Sequence, residues 1–211
     1  MPRLALVLCI LWFTSLFVFR TIIQKKNTGS TGFKGVHGSV GSLPWIAGVL
    51  VASGLLLAPL GPVAAIQGWT GGALLASPTV LHVLGVSFAL AGITGALVAQ
   101  QSMGDSWRVG VDESETTKLV TSGLFAWVRN PIFSFIWLSL LGLVLLVPNA
   151  IALLGAAVTV VGIELQVRAV EEPYLDATHG AAYREYAARV GRFFPTLGRR
   201  IHRPLEENAG G

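Results

Sequence analysis

Residues 131–166 read PIFSFIWLSLLGLVLLVPNAIALLGAAVTVVGIELQ. Two apolar runs, Pro131 to Val147 and Ala150 to Gln166, are separated only by Pro148 and Asn149. A link that short makes the two runs an antiparallel helical hairpin. Each run lies near the lower limit for crossing a bilayer, which takes about 17–25 residues of helix. The first charge in the stretch is Glu164, close to its end. Such a segment has no place on the surface of a soluble protein, and it sets the class of the whole chain.

The rest of the sequence agrees. Of 211 residues, 53% are hydrophobic and 12% are charged, whereas a typical soluble domain is about 25% charged. A disordered chain is excluded, because such chains are poor in apolar residues. A nucleic-acid binder is not expected either: the net charge is +4, but the basic residues are few and scattered rather than clustered in a patch. A single cysteine, Cys9, rules out an internal disulfide framework and a cysteine-built zinc site.

Three further runs precede the hairpin. Leu4 to Ile23 is a first span with Arg20 at its end. The following Thr21-Ile22-Ile23-Gln24 is a poor small-residue cleavage site, so the run reads as an uncleaved helix rather than a signal peptide. Leu43 to Ile66 is a second span interrupted by Pro59 and Pro62, where a helix kinks or stops near Leu57. Gln67 to Ser77 is a glycine-rich loop. Thr79 to Gln100 is a third span, with His82 near its start and with Gly85, Gly92 and Gly95 available for close helix packing. The small-residue faces of spans two and three can pack within one chain or join two chains in a homo-oligomer. The expected architecture is therefore all-α and polytopic, with about five transmembrane helices and a C-terminal helical cap.

Basic residues alternate between the connections. Lys25, Lys26 and Lys34 follow the first span, and Arg108, Lys118 and Arg129 follow the third. Arg168, Arg184, Arg189, Arg192, Arg199, Arg200 and Arg203 follow the fifth. The loop 67–77 and the Pro148-Asn149 turn carry none. The positive-inside rule then predicts a cell-membrane protein with its N-terminus outside and its C-terminal tail in the cytoplasm.

The polar residues collect in two segments on that cytoplasmic side. In the first, acidic Asp112, Glu113 and Glu115 lead into Thr117-Lys118-Leu119-Val120-Thr121-Ser122-Gly123-Leu124-Phe125. A turn at Ser122-Gly123 and a helix start at Asn130-Pro131, with Asn as cap and Pro at the first helical position, are expected. A helix N-terminus suits an anionic ligand group, although the dipeptide alone reads more simply as a cap. In the second segment Glu164, Arg168, Glu171, Glu172 and Leu175 recur at spacings of three and four, near one helical face. Glu164 and Arg168 can pair along the helix. An ionisable residue inside the hydrocarbon region is a functional candidate, and an ion-paired helix exit weighs equally from spacing alone. Pro173 is expected to kink or restart this helix. Tyr183 and Tyr186 then fall one turn apart, in a segment that fits an interfacial helix.

Four ordered motifs carry a family resemblance. They are Leu119-Val120-Thr121-Ser122-Gly123-Leu124-Phe125; Val128-Arg129-Asn130-Pro131-Ile132-Phe133; Glu171-Glu172-Pro173-Tyr174-Leu175; and Gly180-Ala181-Ala182-Tyr183-Arg184-Glu185-Tyr186. Together they resemble the isoprenylcysteine carboxyl methyltransferase family, part of a wider group with the phospholipid N-methyltransferases. The resemblance covers about residues 102–195. The division it implies is 1–100 for three N-terminal spans without family signal, 101–200 for a methyltransferase-like region, and 201–211 for a flexible tail. It implies S-adenosylmethionine as cofactor and a lipophilic small molecule or lipid, arriving from the membrane, as methyl acceptor. By motif, Thr117, Lys118, Leu119, Val120, Phe125, Asn130, Pro131, Ile132, Phe133, Glu171 and Tyr183 would bind the cofactor, with Tyr186 closing the pocket. The family usually has His at the position of Asn130 and Tyr at that of Phe133. Asn retains hydrogen-bonding capacity but does not titrate near neutral pH.

Methyl transfer needs alignment of a nucleophile and exclusion of water more than it needs reactive side chains. Arg168 is the candidate for orienting an anionic acceptor. If the acceptor is an amine, Glu164 or Glu172 would take its proton. Two other readings compete. One is a reductase using a nicotinamide dinucleotide phosphate, resembling the sterol reductases, whose extra phosphate would need Lys118, Arg129 or Arg168. The other is a non-enzymatic scaffold or transporter, which the lack of a polar path through the spans disfavours.

Overall fold

A computed structural model describes residues 1–32, 36, 38–70, 78–107 and 118–200. Thr117, Arg108, Asp112, Glu113, Glu115, Lys34, most of the loop 67–77 and the tail 201–211 lie outside the described residues. Four helices are long and apolar enough to cross a membrane: α1 (Pro2–Thr28), α2 (Leu43–Ile66), α3 (Thr79–Ser106) and α5 (Ala150–His179). Between the last two lies α4 (Pro131–Leu146), apolar but only 16 residues long. At about 1.5 Å per residue it spans roughly 24 Å, less than the ~30 Å of a hydrocarbon core. A short α6 (Ala181–Arg189) follows α5. The all-helical architecture of about five apolar helices is thus present, with α4 the short member.

Small residues decide which helices meet. The Pro148-Asn149 link is as short as the sequence suggested, yet α4 and α5 are not each other's main partners. α4 packs chiefly on α3, and α5 on α2. A Cβ at Gly92 would lie 2.6 Å from the Phe135 carbonyl and the Ser139 amide of α4. A Cβ at Gly54 would lie 2.6 Å from the Thr159 amide of α5. In lipid, helix association depends on such close backbone approach, because the hydrocarbon is as apolar as the side chains. The small-residue faces of α2 and α3 are therefore occupied within the chain. Asn149, 2% exposed, fixes the turn: its oxygen caps α5 by accepting from the Ala152 amide at 2.9 Å, and its Nδ2 donates to the Gly61 carbonyl at 2.8 Å.

Two π turns adjust register. In α1 the turn Thr14–Phe19 displaces backbone carbonyls from their helical partners, and Gln100 of α3 donates to the Leu16 carbonyl at 3.0 Å. In α5 the turn Val167–Glu171 precedes Pro173. Proline leaves a carbonyl of the preceding turn without a donor, and the wider turn absorbs that defect without ending the helix. Of the kink or restart expected at Pro173, no restart occurs: the helix passes through the wide turn and runs on to His179. The second span does break where its prolines predicted, after Leu57, and resumes at Leu60.

The helices alternate in direction. Ala5 and Leu8 of α1 meet Ala89 of α3 and Leu143, Leu146 and Val147 of α4 at one end. Trp12 and Leu16 meet Ile93, Ala96, Ile136, Ile163 and Val167 further along. The polar segments consequently gather at the opposite end, around the start of α4. Since α4 is short, its first turn is recessed below the ends of α3 and α5.

Candidate functional site

The first turn of α4 is the centre of this polar end. Asn130 precedes the helix but does not cap it. Its Nδ2 donates to the Arg192 carbonyl at 3.1 Å, and its backbone amide donates to the same oxygen at 3.0 Å. The expected side-chain cap is therefore replaced by a tie to the chain that follows α6, and the amides of the first turn keep their positive end of the helix dipole. Ile132 and Phe133, half-buried, pack against the core that holds Phe193 and Val167.

The segment 190–200 is strapped across this turn. Val128 and Gly191 form a parallel bridge, the Arg129 amide donates to the Gly191 carbonyl at 2.8 Å, and Ser134 Oγ donates to the Phe193 carbonyl at 2.6 Å. Gly191 is required by crowding: a Cβ there would lie 2.7 Å from the Leu197 carbonyl and closer still to that of Phe194. Phe193 stacks on Trp137 with ring centroids 4.4 Å apart.

A buried charge cluster holds strap, α5 and α6 together. Glu172 of α5 is 4% exposed. Its Oε1 accepts from Arg129 Nη2 at 2.7 Å and Arg192 Nε at 2.7 Å, and its Oε2 accepts from Arg192 Nη2 at 2.9 Å. Arg129 also donates to the carbonyls of Ala187, Val190 and Gly198, where a cation meets the C-terminal end of α6. Hydrogen bonding to Glu172 pushes the Arg192 pKa up, and Glu164 adds to the same field. Asp176 extends the cluster through Arg184 at 3.0 Å and Arg200 at 2.9 Å.

The π turn splits the acidic face that the spacing suggested. Arg168 pairs with Glu164 as expected at i,i+4, with their side chains 59% and 33% exposed. Glu172 instead turns inward to Arg129 and Arg192. Both its oxygens are engaged by guanidinium groups, which suits it to anchoring rather than to taking a proton. Glu171, half-buried, adjoins it at the end of the π turn.

The other motif residues divide into lining and backing. Lys118 is exposed, and Val120 is half-buried. Leu119 packs against Tyr183, Tyr186 and Ala187. Tyr183 is 1% exposed, and Phe125 is also buried. Tyr183 packs with Tyr186 and Ala187, inside the fold. The Tyr186 hydroxyl donates to the Phe125 carbonyl at 2.6 Å, tying α6 to the turn Gly123–Ala126. Sequence spacing did not single out Arg129 and Arg192 as partners of Glu172. Their only signal is position: Arg129 lies within the second motif and Arg192 shortly after the fourth.

Burial pushes the Tyr183 hydroxyl up to about 12 and the Tyr186 hydroxyl up as well. Folded values raised above the ordinary ~10 favour the neutral form in the native state. Their contribution to stability is thus complete below about pH 10 and is lost as pH rises through the folded values. Tyr186→Phe is expected to lower stability by about 1 kcal/mol at neutral pH and to weaken the alkaline loss, as read from thermal unfolding in detergent between pH 7 and 12. An unaltered midpoint at neutral pH would contradict the role of the Phe125 bond.

Residues 80–182, just under half of the chain, match the phospholipid methyltransferase family model. The match starts inside α3, runs through the loop and α4, and ends in α6. It contains the recessed first turn, the Glu164–Arg168 pair and Glu172. No curated protein and no solved structure significantly matches the chain. With four helices long and apolar enough to cross a bilayer and its polar residues gathered at one end, the chain has the make-up of an integral membrane protein, and its segment 80–182 is similar to the phospholipid methyltransferase family, the wider group that includes the isoprenylcysteine methyltransferases.

Proposed function

We propose that the protein transfers a methyl group from S-adenosylmethionine to a lipophilic acceptor at the membrane surface. The observation that carries this reading is the uncapped, recessed first turn of α4, set among the motif segments of a methyltransferase-family region. The cofactor fits the donor set. Its carboxylate matches the amides and dipole of that turn, and its ribose or ammonium group matches Glu171. Phe133 and Ile132 offer an apolar flank, and Lys118, Leu119 and Val120 lie on the segment leading into the turn. S-adenosylmethionine would supply an activated methyl group, and the chain's task is then positional. The strap 190–198 covers the turn and excludes water, and the Glu172 cluster keeps the strap in place. Arg168, held by Glu164, is exposed at the same level and suited to orienting an anionic acceptor. For an amine acceptor, Glu164 is the better-placed proton acceptor, because Glu172 is committed to Arg129 and Arg192, with Arg200 a third ion-pair partner at 3.8 Å.

Orientation follows the basic residues, with the α4 start and the strap on the cytoplasmic side of the cell membrane. A reductase reading is weaker, because Arg129, one of its three phosphate candidates, is closed off against Glu172 and three carbonyls. The test is incubation of the purified protein with membrane lipid extract and methyl-labelled cofactor, followed by mass spectrometry of the lipids. Label in a lipid-soluble product is expected; absence of label, with the unlabelled cofactor also failing to bind, would contradict the assignment.

A further inference from the structure

Arg20 is a second deeply buried guanidinium, 7% exposed, and it lies outside the family segment. Unlike Arg129 it makes no ion pair among the described residues, and the Asp105 carboxylate acts on it only from beyond ion-pair distance. One Nη donates to the Gly104 carbonyl, and the guanidinium lies 4.9 Å over the Trp107 ring. Its Nε–H has no partner among the described residues. Gln24, one turn further along α1, donates to the Asp105 carbonyl at 2.7 Å, and Gln100 donates to the Leu16 carbonyl. Both are 3% exposed, and the side-chain oxygens of both are unpartnered among the described residues. One buried cation thus keeps an unused donor while two neighbouring amides keep unused acceptors. In a membrane protein each such group is costly and points to a function.

The packing register puts this cluster level with the candidate site. Gly85 of α3 faces Gly142 of α4, and Gly92 faces Phe135 and Ser139. Continuing that antiparallel register brings Gln100 opposite the start of α4. Leu16 and Phe17, one turn before Arg20, share a core with Ile132 and Phe133. Arg20, Gln24 and Gln100 therefore border the recessed first turn from the α1–α3 side, as Glu164 and Arg168 border it from α5.

We infer that Arg20, Gln24 and Gln100 form the subsite for the headgroup of the lipid methyl acceptor. The guanidinium takes a headgroup oxyanion through its unused N–H. The two amide oxygens take hydrogen bonds from a hydroxyl or amino group on the same headgroup. The preferred lipid carries both an oxyanion and a donor. The assignment to an acceptor rests on the methyltransferase reading; the binding chemistry does not.

Native mass spectrometry of the full protein, titrated with lipid in detergent, tests the subsite without any turnover. Phosphatidylglycerol has a phosphate and hydroxyl donors, whereas phosphatidylcholine has a phosphate and a quaternary ammonium but no hydrogen-bond donor. Wild type is expected to retain the former more tightly. Arg20→Gln should weaken retention of phosphatidylglycerol about tenfold or more, the scale of a lost charge-assisted bond. Gln100→Leu should erase the preference between the two lipids while leaving phosphatidylcholine unchanged. Arg20→Lys, which keeps the charge, guards against a folding defect in Arg20→Gln and should recover part of the affinity. Arg189→Gln, at an exposed position on α6, should leave lipid retention unchanged. Equal retention in wild type and a folded Arg20→Gln would overturn the subsite. Displacement of the lipid by millimolar inorganic phosphate would assign the cluster to a soluble oxyanion and overturn the lipid headgroup. Arg20-dependent retention of a lipid that never acquires label would uphold the subsite while overturning its role as acceptor; the methyltransferase reading falls only if no lipid acquires label and the cofactor does not bind.

Discussion

Glu172→Ala is expected to be the most damaging single substitution, costing about 3–5 kcal/mol. The carboxylate is buried, and its removal leaves Arg129, itself 6% exposed, as an uncompensated charge beside three carbonyls. Arg192 loses its only ion pair among the described residues at the same time. A large part of the cost comes from the stranded cations rather than from the lost pair, because breaking a buried pair by removing one partner is worse than never having built it. Glu172→Gln keeps an acceptor oxygen and should recover part of the stability. For a chain of this size the alanine change should lower the unfolding midpoint on the order of 10 °C. A shift no larger than that of an exposed-site control such as Glu185→Ala would contradict the anchoring role.

Gly92→Leu should rank second, at about 3 kcal/mol. The added Cβ alone meets backbone atoms of Phe135 and Ser139 at 2.6 Å, and backbone cannot swing aside as a flexible side chain can. α3 and α4 must separate, which moves the first turn of α4. The variant is therefore expected to lose thermal stability and cofactor binding together. Gly68→Ala has open space around its Cβ and provides a control, in which only the strain of a positive φ at 72° is tested. Unchanged stability in a correctly inserted Gly92→Leu protein would show that α3 and α4 do not rely on that close approach.

The spans were legible because they rest on composition alone, and a run of apolar residues reads the same in any tertiary context. The close packing at Gly85 and Gly92, the break after Leu57 and the Glu164–Arg168 pair were legible because each is local. What escaped the sequence is non-local. Glu172 finds Arg129 43 residues away and Arg192 20 residues away, at separations that no helical period encodes. The π turn Val167–Glu171 shifts register, so a face drawn with regular spacing placed Glu172 beside Arg168 when the two point apart. Asn130 reads as a cap, and its side chain turns to the strap because the strap arrives there from 62 residues on. Arg20 read as the polar end of a span. Its stripe with Leu16 and Gln24 carried a signal, two polar residues at i,i+4 continuing a buried apolar line, but burial on that line is set by α3.

The candidate site follows the same division. The motif segments bearing Leu119, Asn130, Glu171 and Tyr183 come together at one end of the bundle, and that meeting is what makes the end a candidate. Burial was not legible in the motifs: Tyr183 and Phe125 are packed inside, and Glu172 ties the strap through Arg192. Asn130 and Phe133 leave the first turn of α4 without a titrating group. Cofactor binding there should accordingly vary little with pH between about 6 and 8, since histidine is the side chain that ordinarily titrates in that window.

The most direct measurement is isothermal titration of S-adenosylmethionine into purified wild type and Glu171→Ala, with thermal unfolding of both proteins as a check on folding. Saturable binding to wild type that falls at least about tenfold in a folded Glu171→Ala protein, the scale of a lost hydrogen bond to a charged group, is the predicted result. Binding of equal strength in the two proteins would contradict the site at the first turn of α4, and no binding to wild type would contradict the methyltransferase assignment itself.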